Sequence, residues 1–502
     1  MVRADRSRLA AEFAWDRMIP CWPLLAGLAV YGRLLAERMA LLNDPDTYLH
    51  IAAGRWILVH RALPLHDPFS HSMPGAEWVS SEWVAQIVLA AVYDQFGWRG
   101  IIVLTAASVA VAVGLLTHFL LRRVPPLPAL IAVAASVVLL EPHCLARPHV
   151  LALPVLVLWS AALLAARDAG RAPPFAVLPL MALWTNLHGS FLFGLAFAAF
   201  LAVEAVLSPG LQPGSRSRAA EARRWSVFVL AAIAAALLTP HGLGGIVQPI
   251  RLLSMPALQT TFSEWLSPNF QQSPGLELWV LGAVFVGFAT GIRLPPMRLL
   301  LLLGLIHMML QHVRHADILA IVGPLAVAAP LGPGLLALTR SPVPSRLATW
   351  MTRLARPSGS TAAALTVAIA VALTLPTVLR PIVRTDDAIT PAAGLAAAQR
   401  LALAGPVLNS QSFGGYLIFS GVPSFIDGRI ELYGNDFLAR HVAAESGSEP
   451  VLQQLLARHR IGWTLLLPRS GAAGVMDRLP GWERVHADDR AVIHRRTDPA
   501  VR

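Results

Sequence analysis

Residues 83–97 read WVAQIVLAAVYDQFG, and whether this segment crosses a membrane fixes the arrangement of the whole chain. Its 15 residues, at ~1.5 Å each in a helix, reach about 22 Å against an apolar bilayer core of ~30 Å. The arginines give a second test. If 83–97 does not cross, then Arg122, Arg123, Arg167, Arg171, Arg216, Arg218, Arg223, Arg224, Arg293, Arg298, Arg340, Arg346, Arg353 and Arg356 all share the side of the N-terminus. Short loops rich in arginine face the cytoplasm. If the segment crosses, every one of these arginines moves outside and that rule fails. The segment is therefore read as an outer helix dipping into the interface.

Eleven spans follow, at about 18–41, 99–121, 127–143, 149–166, 173–187, 190–208, 225–240, 276–292, 297–311, 316–338 and 360–379. The expected fold class is an α-helical polytopic membrane protein with about 11 transmembrane helices. Interfacial helices occupy its first outer loop, and a small α/β domain lies at its C-terminus. Residues 1–379 form the transmembrane domain and 380–502 the extracytoplasmic one. The expected location is a bacterial inner (plasma) membrane, with the N-terminus cytoplasmic and the C-terminal domain periplasmic or extracellular.

Composition agrees. The 502 residues are 55% hydrophobic and 14% charged, with mean hydropathy +0.58; a soluble protein carries roughly 25% charged residues. All 40 basic residues are arginine, which reads as codon bias. The net charge of +11 marks membrane orientation, not nucleic-acid binding, because the arginines lie between apolar spans. Arg3, Arg6 and Arg8 precede an apolar segment without a small-residue cleavage site, so that segment reads as a retained span. Cys21 and Cys144 form no metal motif. Walker, GxSxG, HExxH and CxxC patterns are lacking.

With this topology the polar joints all face outward: Asp44–Glu82, Glu141–His149, Asn186–Ser190, Thr239–Asn269 and Gln311–His315. Asp44 and Asp46 follow the first span. Asp46 stands at the N-cap of a helix over Thr47–His60, with Tyr48, Ile51, Trp56 and Val59 expected toward lipid and His50 and Arg55 toward water. As bland features these acids are a cap and a turn around Pro45. Against that stand their pairing, His50 one turn later, and Glu82 opening the next helix between Trp78 and Trp83. Paired carboxylates at a membrane boundary suit a general base or a divalent metal cation. EPHCLARPH (141–149) offers Glu141 and Arg147; WTNLHGS (184–190) breaks an apolar stretch at His188; TPHGLGG (239–245) and SEWLSPN (263–269) offer His241 and Glu264. QHVRHAD (311–317) offers Arg314 and His315. Arginine suits a phosphate ligand and equally snorkels to headgroups.

After residue 380, alternating runs at Pro406–Asn409, Gly415–Phe419, Gly462–Leu467 and Ala491–His494 read as strands. Ala392–Leu403, Asp436–Ser446 and Pro450–His459 read as helices. Gly414, Gly415, Asp427, Gly428 and Arg429 read as strand-end turns, or Asp427 and Arg429 as ligands. The triplet at 488–490 reads as a hairpin turn.

This layout resembles the GT-C superfamily of polyprenyl-phosphate-dependent membrane glycosyltransferases, among them protein mannosyltransferases, aminoarabinose transferases and oligosaccharyltransferases. The resemblance covers the chain as architecture and, as motif, Asp44-Pro-Asp46 through Glu82. HPPL-type, KPP-type and WWD-type motifs are not seen, which points to a divergent bacterial branch. The resemblance implies a first-loop aspartate that activates or orients the acceptor, at Asp44 or Asp46, which would also be the ligands of a divalent metal. Glu141 takes the place of a second acidic position. It further implies a polyprenyl-phosphate sugar donor, membrane lipid contacts, and a glycan, lipid or protein acceptor. His50, Glu82, Glu141, Arg147, His188, His241, Glu264, Arg314 and His315 are the expected substrate-binding residues. Two other classes stay open: a transporter or flippase for a lipid-linked or polar substrate, and a non-catalytic membrane assembly factor.

Overall fold

The computed structural model describes residues 19–207, 217–291, 293–339 and 346–497. Arg3, Arg6, Arg8, Arg216 and Arg340 of the charge argument lie outside these residues. All eleven expected spans contain a helix: Trp22–Ala36, the second part of Trp83–Leu121, Pro126–Leu140, Pro148–Asp168, Leu178–Leu187, Phe191–Leu207, Arg218–Ala236, Pro274–Thr290, Pro296–Gln311, Ala316–Thr339 and Ser360–Leu379. Among the described residues, five helices are long and apolar enough to cross a membrane, and the other apolar helices are shorter. The chain is a polytopic, mainly helical membrane protein with a small C-terminal sheet. Pro126, Pro148, Pro274 and Pro296 stand at helix starts, where a missing N–H costs no hydrogen bond. Pro154, Pro324, Pro330, Pro333 and Pro376 lie inside helices, and neighbouring helices make such breaks tolerable in a membrane.

The deciding segment is helical from Trp83 and breaks at Gly97, whose backbone (φ 61°, ψ −153°) lies outside the helical region. Glycine adopts that conformation at little steric cost, so the segment ends there and the next span begins. It packs against Asp46–His60.

Asp46–His60 differs from the amphipathic helix expected. Tyr48 and Ile51 are buried inside the protein, not set against lipid, and His50 is buried, not set against water. The reason is tertiary. Trp98, Tyr416 and Phe419 enclose the Tyr48 ring, with centroids 5.1, 5.2 and 5.2 Å away. Val59 keeps 77% of its surface.

Charges gather at the two ends of the helical bundle. At one end Arg298 reaches Asp168 at 2.8 Å and Glu204 at 2.9 Å. Arg123 lies 3.6 Å from Asp168 and Arg167 3.4 Å from Glu204. These residues flank the joints expected to face inward. The joints expected to face outward meet at the other end, at the candidate site.

The C-terminal region carries a four-stranded sheet in the order β1 (Val407–Asn409), β2 (Trp463–Leu466), β4 (Val492–Arg496), β3 (Trp482–Ala487). β1 and β2 are parallel; the other pairs are antiparallel. Helices Ala392–Arg400, Ile430–Glu445 and Glu449–Arg458 match three expected ones. The turn between β3 and β4 is tied by the Asp488 carboxylate, which accepts from the N–H groups of Arg490 and Ala491. β3 was not foreseen. One expectation is overturned: Gly415–Phe419 lies in a short helix, Gly414–Phe419, not a strand. Its glycines serve close approach, since a Cβ on Gly415 would lie 2.3 Å from the Pro45 carbonyl oxygen.

Candidate active site

Helix Asp46–His60 begins where its first free N–H is taken up. That acceptor is Asp44, whose Oδ1 lies 2.8 Å from the Asp46 nitrogen. Asp46, expected to cap the helix, is its first residue instead. The division of labour follows from chain order. The earlier acid satisfies the helix end, and the later one projects its carboxylate into the space between the outer joints.

Arg147 enters that space from just before helix Pro148–Asp168. Its Nη2 donates to Asp46 Oδ2 at 2.7 Å, and its Nη1 to Glu264 Oε2 at 2.9 Å. Nη1 also lies 3.5 Å from Asp44 Oδ2. Three carboxylates from two separate segments thus surround one guanidinium. Arg314 adds a second, 3.3 Å from Glu264 and stacked over Trp265 with its carbon 4.2 Å from the ring centroid. Such a stacked, planar cation keeps N–H groups in its plane for a ligand.

A second group adjoins the first. Glu82 lies 3.8 Å from His50 Nε2 and 3.6 Å from His188 Nε2. His188 and His149 approach with ring centroids 5.9 Å apart. Trp83 donates its indole N–H to Asn186 at 2.6 Å, fixing Glu82 beside the break at His188. His50 Nδ1 and His143 Nε2 are buried without a protein hydrogen-bond partner among the described residues.

Burial sets the protonation states. It raises Asp46 to about 7, against Arg147, with Asp44 and Glu264 pushing the same way. It raises Glu82 to about 8 and lowers His50 to about 3. Glu264 moves the other way: burial opposes its charge, but Arg147 and Arg314 hold it down to about 2. Near neutral pH the site therefore offers a neutral His50 and two carboxyls, Asp46 and Glu82, whose pKa values burial has raised toward neutrality. Carboxylates tuned into this range are suited to proton transfer.

Of the residues expected from sequence, Asp44, Asp46, His50, Glu82, Arg147, His188, Glu264 and Arg314 come together. His315 sits at its edge, its ring nitrogen 3.2 Å from the Met308 carbonyl oxygen. Glu141 and His241 stand apart. Glu141 pairs with Arg33, and His241 bonds the Ser80 carbonyl at 3.2 Å. Sequence reasoning passed over His143, His149, Trp265 and Glu431. The first three lie in stretches already singled out; Glu431 bonds the Trp78 indole at 3.3 Å.

The C-terminal region closes one wall. Gly428 packs so tightly on Asp46 that a Cβ there would lie 1.9 Å from Asp46 Oδ1. Asp427 and Arg429 flank it in a fully buried clasp. Arg429 donates twice to Asp427, at 2.8 and 2.7 Å, and once to Asp67 of the first outer loop at 2.5 Å. Tyr433 donates to Asp427 at 2.5 Å. These two residues are spent on each other and on the loop.

Asp44 and Asp46 were also the expected ligands of a divalent metal. Their carboxylates, with Glu264, close on the Arg147 guanidinium, so a metal ion there would sit against a fixed positive charge. As arranged, the residues do not fit a metal ion. Among the described residues no group of three or more His, Cys, Asp or Glu side chains is set to hold one.

No protein-family model matches the chain, and no curated protein matches its sequence. Its fold does have solved counterparts. The oligosaccharyltransferase of Archaeoglobus fulgidus in the apo form aligns with TM-score 0.51 and 12% identity, over 88% of this chain and 69% of that one. The archaeal oligosaccharyltransferase AglB from Archaeoglobus fulgidus, in complex with an inhibitory peptide and a dolichol-phosphate, aligns with TM-score 0.52 and 12% identity, over 89% and 69%. ArnT from Cupriavidus metallidurans bound to undecaprenyl phosphate gives TM-score 0.44 and 12% identity, over 95% and 98%. This chain thus shares the fold of that archaeal oligosaccharyltransferase.

Proposed function

We propose that this chain is a membrane glycosyltransferase that moves a sugar from a polyprenyl-phosphate-linked donor to an acceptor on the outer face of a bacterial inner membrane. The observation that carries the reading is the placement of Asp46, held between Arg147 and the C-terminal wall in a fold shared with a dolichol-phosphate-bound oligosaccharyltransferase; burial raises its pKa from the usual carboxylate range.

The reaction then runs as follows. Asp46 takes the proton of the acceptor nucleophile. The nucleophile attacks the sugar's anomeric carbon, and the bond from that carbon to the phosphate oxygen breaks. Polyprenyl phosphate leaves with both electrons of that bond. Arg314, with one carboxylate partner and its face on Trp265, receives the phosphate charge. Arg147 is already matched by three carboxylates and positions Asp46. Protonated Glu82 donates a hydrogen bond to a sugar or acceptor oxygen. Because phosphate is a good leaving group, positioning and one base suffice. No step is routed through a metal.

The outer-face assignment rests on the arginine asymmetry and on the gathering of the opposite joints at the site. The residues of 380–502 form, on this reading, an outer domain whose Gly428 segment completes the site. The test is reconstitution of the purified protein in liposomes with a panel of polyprenyl-phosphate sugars. Release of polyprenyl phosphate on addition of acceptor is expected. Passage of an intact lipid-linked sugar across the bilayer, with no release, would instead favour a flippase.

A further inference from the structure

We propose that Arg147 is a built-in cation that takes the place of a divalent metal at the carboxylate set Asp44, Asp46 and Glu264. The inference comes from the geometry alone and stands whether or not the chain transfers sugars. Three carboxylates converging at one point, with Asp44 and Asp46 largely buried and Glu264 partly exposed, need a compensating positive charge, because burial of unmatched charge is costly. A divalent cation supplies it in many oxygen-lined sites. Here the Arg147 guanidinium supplies it, with Nη2 2.7 Å from Asp46, and Nη1 2.9 Å from Glu264 and 3.5 Å from Asp44.

Two features show that the guanidinium is a fixed part of the structure. It is tethered at the start of helix Pro148–Asp168, where the neighbouring Ala146 N–H is bonded to the Leu41 carbonyl at 2.8 Å. It also meets Asp46 through Nη2, while Nη1 faces Glu264 and Asp44, a directional division that a planar fork makes and a spherical ion cannot. A cation held by the chain is present at every turnover and does not depend on metal supply. It also fixes the direction of each bond, so Asp46 keeps Oδ2 on Arg147 while Oδ1 lies against Gly428. Arg147 is thus a positioning residue for Asp46.

The test is a titration of Mn2+ into the full-length protein in detergent, followed by the electron paramagnetic resonance signal of the free ion. Wild type is expected to leave Mn2+ free through the low millimolar range. Arg147→Met frees the three carboxylates and is expected to bind Mn2+ at least about tenfold more tightly, as an oxygen-ligand set does once its charge is unmatched. Arg147→Met with Asp46→Asn should lose that gain, and Arg147→Lys, which keeps a cation, should behave as wild type. Stoichiometric micromolar binding by wild type that is lost in Asp46→Asn overturns the proposal. So does a folded Arg147→Met protein that gains no affinity. If Arg147→Met does not fold, as judged by its thermal transition, the wild-type and Asp46→Asn titrations decide the matter.

Discussion

Asp46 and Gly428 touch, although they are 382 positions apart in the chain; a Cβ on the glycine would lie 1.9 Å from the aspartate Oδ1. The loop after the first span supplies the carboxylate, and the C-terminal region supplies the surface packed against it. Gly428→Ala is therefore expected to displace Asp46 and lower transfer by at least about tenfold, the scale of a misplaced reacting group. The same variant should retain the C-terminal fold, read from the thermal transition. Unchanged transfer in Gly428→Ala would separate the C-terminal region from the chemistry.

Asp44 and Asp46 should respond differently to substitution. An asparagine oxygen accepts the same bond, so Asp44→Asn keeps the contact with the Asp46 N–H. Asp44→Ala loses it and should cost about 0.5–1.5 kcal/mol, the net worth of one hydrogen bond. Thermal unfolding of the two variants measures the difference. Asp44→Asn should also retain more transfer than Asp46→Asn, because Asp44 serves the helix end and Asp46 the acceptor.

Transfer should follow a bell-shaped pH profile. Asp46 must lose its proton, with a pKa of about 7, and Glu82 must keep its own, with a pKa of about 8. The rising and falling limbs are then expected near those values. Glu82→Gln should remove the falling limb. Stability carries the same signature. Folding raises Glu82 from 4.5 to about 8, so its contribution is complete below the unfolded value and fades as pH rises through 8. Glu82→Gln should flatten the decline in thermal stability between pH 5 and 9, approximate limits set by that same linkage.

The buried clasp predicts an effect on folding. Arg429→Met leaves Asp67 and Asp427 facing each other without a cation and should cost about 3–5 kcal/mol. Replacing all three residues by neutral ones of similar size should cost less than Arg429→Met alone. Chemical unfolding of the single and triple variants checks the order. An equal or larger loss in the triple variant would show that the clasp stabilises by more than charge matching.

Much of this was legible in the sequence. Apolar length gave the spans, and the arginine pattern together with its shortness set 83–97 apart from the span after it, a break the structure places at Gly97. The outward joints held most of the cluster, because costly polar groups beside a membrane gather where they can meet. What sequence could not show was which polar groups meet. Glu141 and Arg147 share one short stretch, yet Glu141 turns to Arg33 and Arg147 to the acids. His149 was in view and passed over because its partner, His188, is set by packing between helices. Gly428 read as a turn because its close contact lies across the whole chain. The burial of Tyr48 was hidden for the same reason: the C-terminal helix Gly414–Phe419 covers a face that local periodicity assigns to lipid.

The most direct measurement is polyprenyl phosphate release by wild type and Asp46→Asn, reconstituted side by side with the same lipid-linked donor and acceptor. The account predicts that Asp46→Asn, folded with an unaltered thermal transition, releases at least about a hundredfold less, the scale of a lost general base. Full release by folded Asp46→Asn would contradict it.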